Sequence, residues 1–167
     1  MAATRSSRNP WLEKFRTLAG DVLTLPSFLP FGSYPDFLAY LIESRQPDVI
    51  YLSHSELGYR LLPWLKTAFP TLPVIDLVHI VMDDWNDGGF PRLSCRARPW
   101  LDRTVATSQD LQRWLVKNGA DGDAVDLVYT GIDTAHWRHS AELTEIARAR
   151  WGIPSDRPTI LLSLIHI

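Results

Sequence analysis

The sequence contains one cysteine, Cys95, and has no long apolar run, and each shortage excludes a class of protein. A single cysteine cannot form an internal disulfide framework, which is typical of a protein from a reducing compartment. With only scattered histidines beside it, no zinc-binding pattern arises. No apolar run approaches the roughly 20 residues of a membrane span, and residues 1–10 lack the apolar core of a secretory signal. These features favour a soluble, cytoplasmic protein.

A strong charge of one sign is also absent. The 17 lysines and arginines against 19 aspartates and glutamates give a net charge of -2, so nothing favours nucleic acid as a partner. In a chain of 167 residues, 46% hydrophobic and 22% charged residues are typical of a globular protein and exclude disorder. Most of the seven tryptophans are expected in packing, but Trp85 lies in a polar segment.

Segments with strand and helix periodicity alternate along the chain. Helical spacing occurs over 11–18, 35–45, 56–69 and 141–151, and from a capping pattern at 107–110 to Gly119. Strand patterns occur over 21–25, 48–53, 74–78, 102–106, 124–129 and 159–164. Because Pro63 falls inside a helical pattern, we expect a kink or two short helices there. This order predicts an α/β fold, a doubly wound parallel sheet with helices on both faces.

The last predicted strand follows a polar linker and has no helix behind it. A parallel unit needs a crossover helix, so this strand is expected to open a further domain. The predicted organisation is an N-terminal segment with a short helix (1–20), a Rossmann-like domain (21–154), and a linker with the first strand of a second domain (155–167).

Residues 73–108 contain the segment around which function is expected. An apolar strand ends at His79, a long acidic and aromatic loop follows, and a second strand begins at Asp102. Ligands of open parallel sheets bind outside the carboxyl ends of the strands. His79 and the loop after it therefore lie where chemistry is expected.

Several motifs occur along the chain in a recognisable order. They are PDVIYLSHS at 47–55, PVIDLVHI at 73–80, DRTVATSQDLQRWLVKNGA at 102–120, VDLVYTGIDTAHW at 125–137 and RARWGIPSDRPTILLS at 148–163. In this order the chain resembles the N-terminal, acceptor-side half of a GT-B glycosyltransferase of the glycosyltransferase family 4 type. Two parts of that pattern are missing. Residues 1–25 hold no glycine-rich phosphate loop, and no C-terminal nucleotide-binding domain is present after residue 163.

The resemblance implies a partial GT-B N-terminal domain from an enzyme that transfers a sugar from a nucleotide-sugar to a glycan or lipid-linked acceptor, with retention of configuration. It implies no metal and no cofactor beyond the donor. Its partners would be the donor, the acceptor and the missing nucleotide-binding domain, with peripheral association at the inner membrane face. A piece lacking the donor domain is expected to be inactive alone. The alternative is a non-catalytic Rossmann-like binding or interaction domain.

The resemblance makes His79 the active-site histidine, where an imidazole would hydrogen-bond a sugar hydroxyl or assist the acceptor proton. A histidine that only caps the strand end is the alternative. In the loop, Asp84 and Trp85 are candidates for acceptor binding by hydrogen bonds and ring stacking, with Phe90 as the alternative stacking ring. A divalent-metal site formed with Asp83 and Asp87, and a solvated acidic loop, stay open as alternatives.

Other candidates lie around this edge. Gly88 and Gly89 are either the hinge of a mobile lid or an ordinary turn, and Arg92 either binds an anionic acceptor group or is a surface residue. Ser108 fits a helix cap and could also face an anion. Further candidates for the interdomain, donor-side cleft are Gly131, which would supply a positive φ, and Asp133, which would cap the residues after it.

A hydrolase is the weakest interpretation of the same residues. Ser53, Ser55, Asp76 and His79 supply a hydroxyl, a carboxylate and an imidazole. The G-x-S-x-G elbow is missing, and Asp76 and His79 are three apart on one strand, so their side chains point to opposite faces.

Overall fold

Four short parallel strands form the sheet that organises the chain. In the computed structural model, which describes residues 12–160, these are β1 (Ile50–Ser53), β2 (Val74–Val78), β3 (Arg103–Ala106) and β4 (Val125–Leu127). They lie side by side in chain order, β1-β2-β3-β4. The predicted α/β, Rossmann-like fold with a parallel sheet is confirmed. Each strand lies beside the next one in the chain, so the reversal of strand order that is typical of a doubly wound sheet does not occur among these four strands.

Helices connect the strands and flank them. The described α-helices are α1 (Leu12–Leu18), α2 (Tyr34–Arg45), α3 (Glu56–Ala68), α4 (Phe90–Ala97), α5 (Gln109–Lys117) and α6 (Ala141–Trp151). Short 3-10 turns lie at Leu25–Ser27, Phe31–Ser33, Arg98–Trp100 and Gly122–Ala124. Each strand-to-strand crossover contains one α-helix, as a parallel sheet requires.

The register places one row of side chains against the helices. Leu52 of β1, Asp76 of β2, Thr104 of β3 and Val125 of β4 are neighbours across the sheet. On β2 the residues of this face are fully buried, whereas Ile75 and Leu77 between them are half-buried. This alternation shows that helices cover the face of β2 that carries Val74, Asp76 and Val78.

Two groups of buried side chains form the core. One combines Val78 of β2 and Ala106 of β3 with Leu111 and Leu115 of α5. The other combines Val74 of β2 with α3 and the end of α4, through Tyr59, Leu62, Leu65 and Ala97. Both groups use the same sheet face, and α4 contributes to each of them, which makes α4 part of the folded scaffold.

The amino ends of β2 and β3 are joined by one carboxylate. Asp102 Oδ2 accepts hydrogen bonds from the Lys66 ammonium and from the Val74 backbone N–H, each at 2.7 Å. Partial burial raises the pKa of Asp102, but the bonds from Lys66 and Val74 outweigh it and hold that pKa below its ordinary value. This junction lies at the edge of the sheet opposite His79.

Several predictions about elements are wrong. Residues 21–25 are not a strand; the segment leads into a 3-10 turn at Leu25–Ser27 whose Pro26 has no N–H to donate to a ladder. The long loop expected between β2 and β3 contains α4, which begins after Gly89 with Pro91 in its first turn. Two short helices around Pro63 do not form, because α3 runs through it without interruption.

The chain divides into two compact units, 1–129 and 130–167. The predicted boundaries near residues 20 and 154 stay predictions. In the second unit α6 has its predicted bounds and ends at Gly152 in a left-handed cap. Leu143 and Ile146 of this helix are 65% and 55% exposed. The predicted strand at 159–164 lies mostly outside the described residues, and 159–160 are not in a strand.

Candidate functional site

The carboxyl ends of β1, β2 and β3 meet at one edge of the sheet. His54 follows β1, His79 follows β2, and Thr107 follows β3. The Thr107 hydroxyl donates a hydrogen bond to the His79 carbonyl oxygen at 3.3 Å. Since carboxyl ends of parallel strands are where open sheets bind ligands, these three residues define the candidate site.

Four rings form a continuous row at this edge. The imidazoles of His54 and His79 meet edge to face, with centroids 4.6 Å apart at 90°. The other side of His54 stacks on Phe90, at 4.6 Å and an interplanar angle of 5°. Phe90 in turn contacts Trp85 at 4.9 Å. The row thus joins two strand ends, the loop after β2 and the start of α4, and it presents imidazole nitrogens beside aromatic faces.

His54 is held in an uncommon backbone conformation. Its φ is +49°, in the left-handed region that residues other than glycine seldom occupy. Partial burial is the main cause that lowers the pKa of His54, and the neighbouring His79 lowers it further. A neutral imidazole can accept one hydrogen bond and donate another, which suits a group that contacts a hydroxyl.

The loop after β2 is an ordered turn that bonds to itself. The backbone N–H of Gly88 donates to the Met82 carbonyl at 3.1 Å, and that of Gly89 donates to the Trp85 carbonyl at 2.7 Å. All four residues from Asn86 to Gly89 have positive φ. A Cβ on Gly88 would lie 2.6 Å from the Trp114 ring, so the loop is packed against α5 at this point. Both glycines are buried, which fits the turn better than the hinge.

Arg92 contacts protein groups within the same loop region. Its guanidinium lies over the Trp114 ring, 5.0 Å from the centroid. Its Nε donates to the Asp87 carbonyl oxygen at 3.1 Å. These contacts fix the loop to α4 and α5, and a role of Arg92 in acceptor binding stays a prediction.

The acidic side chains of the loop point to solvent. Asp83, Asp84 and Asp87 are exposed, and Trp85 is half-buried through its contact with Phe90. Asp87 lies 4.0 Å from the guanidinium of Arg96, which is also exposed. Within residues 12–160, no group of three or more His, Cys, Asp or Glu side chains is placed to hold a metal ion. Asp84 and Trp85 lie at the rim of the candidate site, and their role in acceptor binding stays a prediction.

Ser108 caps α5, as predicted. Its hydroxyl oxygen accepts a hydrogen bond from the Leu111 N–H at 3.2 Å. In the second unit Asp133 is also a cap, since its Oδ1 accepts from the N–H groups of Ala135 and His136. Gly131 is different, because positive φ among the described glycines occurs at 88, 89, 119 and 152, so that prediction is wrong. The role of Ser108, Gly131 and Asp133 in a donor-side cleft stays a prediction.

A buried polar group lies three residues before His79 on β2. Asp76 is fully buried, and its Oδ2 accepts a hydrogen bond from the Tyr59 hydroxyl at 2.7 Å. Its Oδ1 has no hydrogen-bond partner among the described residues. Burial is the main cause that raises the pKa of Asp76, and it likewise raises that of Tyr59. Because Asp76 bonds to Tyr59, the hydrolase interpretation loses its orienting carboxylate.

Sequence reasoning missed His54 as a site residue. The signal for His54 was present, since both PDVIYLSHS and PVIDLVHI place a histidine directly after a buried strand. Two parallel neighbouring strands bring such residues together at one edge. Phe90 was expected as a stacking ring, but its contact with His54 was not predicted, because the helix that positions it was not predicted.

Comparison with known proteins bears on the family and the fold of the chain. The sequence profile of Glycosyltransferase Family 4 matches residues 4–136. No curated protein matches the chain. Two similar solved structures are of Anabaena HepE, one in complex with UDP (TM-score 0.55, 15% identity, 71% of this chain) and one in complex with UDP-glucose (TM-score 0.55, 17% identity, 83% of this chain).

The match covers 32% and 39% of those two HepE chains, so this chain spans about a third of their length. At such low identity the likeness shows the fold alone. The family match is independent of it and covers most of this chain, including β1 to β4 and the ring row. The chain belongs to glycosyltransferase family 4, with the fold of that family's N-terminal GT-B domain.

Proposed function

We propose that the complete protein transfers a sugar from a nucleotide-sugar to a glycan or lipid-linked acceptor, with retention of configuration. The observation that carries this is the ring row at the carboxyl edge of the sheet, with two imidazoles in edge-to-face contact beside Phe90 and Trp85. Family membership supports the transfer, and the complexes of HepE with UDP and UDP-glucose support a nucleotide-sugar as donor.

Each part of the row has a task in the proposed reaction. Aromatic faces pack well against the apolar side of a sugar ring, so Trp85 and Phe90 would hold the acceptor. The imidazole of His79 would hydrogen-bond a sugar hydroxyl or take part in removing the acceptor proton. His54 would keep His79 in position through their ring contact. Asp84 and Arg92 would contribute from the rim, and the donor would be bound by a nucleotide-binding domain on the far side of the cleft.

The proposal places the enzyme on the cytoplasmic side of a membrane, where nucleotide-sugars are made. In the described residues no helix is long and apolar enough to cross a membrane. Contact with a membrane would therefore come through a surface of the described domain or through parts of the protein outside it.

The test is transfer by a complete enzyme. The chain is joined after residue 158 to the nucleotide-binding half of a family 4 member, and the chimera is incubated with labelled nucleotide-sugars, UDP-glucose first. Transfer of label to a glycan or lipid-linked acceptor, with the donor's anomeric configuration in the product by NMR, supports the proposal. A folded chimera that binds the donor but transfers with no donor and acceptor pair supports a non-catalytic binding domain.

A further inference from the structure

The turn that directly follows Trp85 has an uncommon backbone conformation. Its four residues, Asn86, Asp87, Gly88 and Gly89, all have positive φ, which asparagine and aspartate adopt less readily than glycine. Such a conformation persists only where the surrounding groups hold it in place. The groups that hold this turn therefore also act on Trp85, the ring at its start.

The ring of Trp114, on α5, supports the turn from outside. It lies so close to the backbone of Gly88 that a Cβ there would be 2.6 Å from the ring atoms Cη2 and Cζ2. The same side chain packs against the core group that contains Leu111 and Leu115. Trp114 thus connects a well-packed part of the core to the turn.

Arg92, on α4, joins the same contact. Its guanidinium carbon lies 5.0 Å from the centroid of the Trp114 ring, and its Nε donates a hydrogen bond to the Asp87 carbonyl oxygen at 3.1 Å. A planar guanidinium can stack on a ring and donate from its edge at the same time, which the compact ammonium of lysine does not do. Arg92 therefore holds the Trp114 ring and the turn together.

The turn passes this support on to Trp85. The Gly89 N–H donates to the Trp85 carbonyl oxygen at 2.7 Å, and a Cβ on Gly89 would lie 3.4 Å from the Trp85 ring. The Trp85 ring in turn contacts Phe90 at 4.9 Å. Because an aromatic ring packs on a sugar through one of its faces, a change in the turn would change the face that Trp85 presents.

We infer that Trp114 and Arg92 are positioning residues, which hold the turn of residues 86–89 and so keep the Trp85 ring oriented for stacking on the acceptor. The inference rests on the proposed function, because the acceptor is the molecule that this ring would contact. Neither residue has to touch the acceptor. Arg92 acts through the shape of its guanidinium, whereas binding of an anionic acceptor group would need only its charge.

Hydrogen exchange on the 167-residue chain tests the hold on the turn. In Trp114→Leu the N–H groups of Gly88 and Gly89 should exchange about tenfold faster than in the parent, and by a larger factor than the N–H groups of β2. Trp151→Leu is the matched control and should leave both glycines unchanged. Trp151 is 72% exposed on α6 and has its own arginine, Arg150, over the ring at 5.8 Å.

Arg92→Lys separates shape from charge, and it tests the inference even if Trp114→Leu does not fold. The lysine keeps the positive charge but loses the stacked guanidinium and its bond to the Asp87 carbonyl. Fluorine NMR of the chain labelled with 5-fluorotryptophan should show a shifted Trp85 signal, which Trp85→Phe assigns. Arg96→Lys, a change of an exposed arginine on the same helix, should leave that signal unchanged.

Kinetics of the chimera test the effect on the acceptor. Trp114→Leu and Arg92→Lys should each raise the KM for the acceptor about tenfold and leave the KM for the nucleotide-sugar within about twofold, because a misplaced Trp85 ring weakens acceptor binding alone. In a Trp85→Ala background neither change should raise the acceptor KM further, because both act through that ring.

Three results would overturn the inference. They are unchanged exchange at Gly88 and Gly89 in folded Trp114→Leu, a parental acceptor KM in Arg92→Lys, and effects on the acceptor KM that add fully to that of Trp85→Ala. A parent chimera that transfers no sugar removes the proposed function, and the exchange and fluorine measurements then decide whether these residues hold Trp85. Transfer by the parent with unchanged KM values in both variants removes the inference alone.

Discussion

The rings of His54 and His79 lie edge to face, 4.6 Å apart, at the ends of two neighbouring parallel strands. The contact bears on charge, because a positive His79 disfavours a positive His54 and so adds to the lowering of the pKa of His54. It also joins the two strand ends in one packed unit, so a change at either histidine should affect the other.

His79→Ala in the chimeric enzyme should lower kcat by about tenfold or more, because general acid or base groups contribute about 10²–10⁴. His139→Ala is the matched control, since His139 is exposed in the second unit and has no ring partner among the described residues. Steady-state kinetics on both variants measures the effect. Near-parental turnover in His79→Ala would leave His79 as a strand-end cap only.

The pKa of His54 should lie below its ordinary value of 6.5 and should rise, while staying below 6.5, in His79→Gln. Glutamine removes the charge of the neighbour, but partial burial, which is the larger cause, remains. NMR titration of the ring carbons measures this directly, and His139→Gln should leave the value unchanged. If the pKa of His54 did not change in His79→Gln, His79 would not contribute to lowering it. If it rose past 6.5, burial would not be the larger cause.

The lowered pKa of His54 also determines whether stability rises or falls with pH. Between the lowered value and 6.5, the unfolded chain binds a proton that the folded chain does not, so stability rises with pH across that window. His54 therefore contributes fully above about pH 6.5. That contribution falls as the pH drops through the lowered pKa. Urea unfolding of the parent and of His54→Gln at pH 5 and pH 8 should show a larger pH dependence in the parent.

Asp76→Asn should stabilise the chain at pH 8 by about 1–3 kcal/mol, because the amide carries no charge and so avoids the cost of burying an ionised carboxylate. The pKa of Asp76 is raised above 3.8, so the parent loses stability as pH rises from 3.8 through the raised pKa. Asp76→Asn removes the ionising carboxyl and therefore this loss. Its stability advantage over the parent should be smaller at pH 4.5 than at pH 8. Urea unfolding at both pH values measures it.

Asp102→Asn is the opposing control for the buried carboxylate. The pKa of Asp102 is lowered by Lys66 and Val74, so its contribution is present above 3.8 and is lost as pH falls. We expect a loss of about 1 kcal/mol at pH 8, because the ion pair is partly exposed. If Asp76→Asn and Asp102→Asn changed the free energy of unfolding with the same sign and the same pH dependence, the predicted difference between these two carboxylates would be wrong.

Gly88→Ala should destabilise the chain by about 2–4 kcal/mol. A methyl group there adds left-handed backbone strain of roughly 1–3 kcal/mol to a contact that the Trp114 ring cannot accommodate. Gly32→Ala is the control, because nothing lies within 4 Å of its Cβ and its φ is not positive. Urea unfolding reports both values.

A double-mutant cycle with Trp114→Leu separates the two causes of the Gly88 effect. If the ring contact contributes, the cost of Gly88→Ala should fall by about 1 kcal/mol or more in the Trp114→Leu background. A cost that is unchanged there would assign the effect to backbone strain alone. A Gly88→Ala variant as stable as the parent would show that the loop rearranges freely, as a hinge would.

The sequence predicts most of the sheet because its strands carry a simple pattern. The strands ending at Ser53 and Val78 are short, mostly apolar runs bounded by turn residues, and the parallel order of the strands follows from the helices between them. The caps were also visible, since Ser108 and Asp133 are residue types that bond to nearby N–H groups.

The failures have local physical causes. Gly88 and Gly89 suggested loop, but they form a tight turn that starts α4, a helix of only eight residues with Pro91 in its first turn. Pro63 is tolerated because the tertiary packing of Leu62 and Leu65 holds α3 together. Burial of Asp76 was not foreseen, because its partner Tyr59 lies 17 residues earlier, on another element.

The hydrogen bonds at Asp102 and the ring row of the candidate site lie at opposite edges of the sheet. Lys66, Val74 and Asp102 bond at the amino edge of the sheet, whereas the ring row occupies the carboxyl edge. The strands between the two edges are four or five residues long, which is about 13–17 Å. Trp85 and Phe90 can therefore be replaced, to test their proposed contact with an acceptor, while the hydrogen bonds that hold the opposite edge together stay intact.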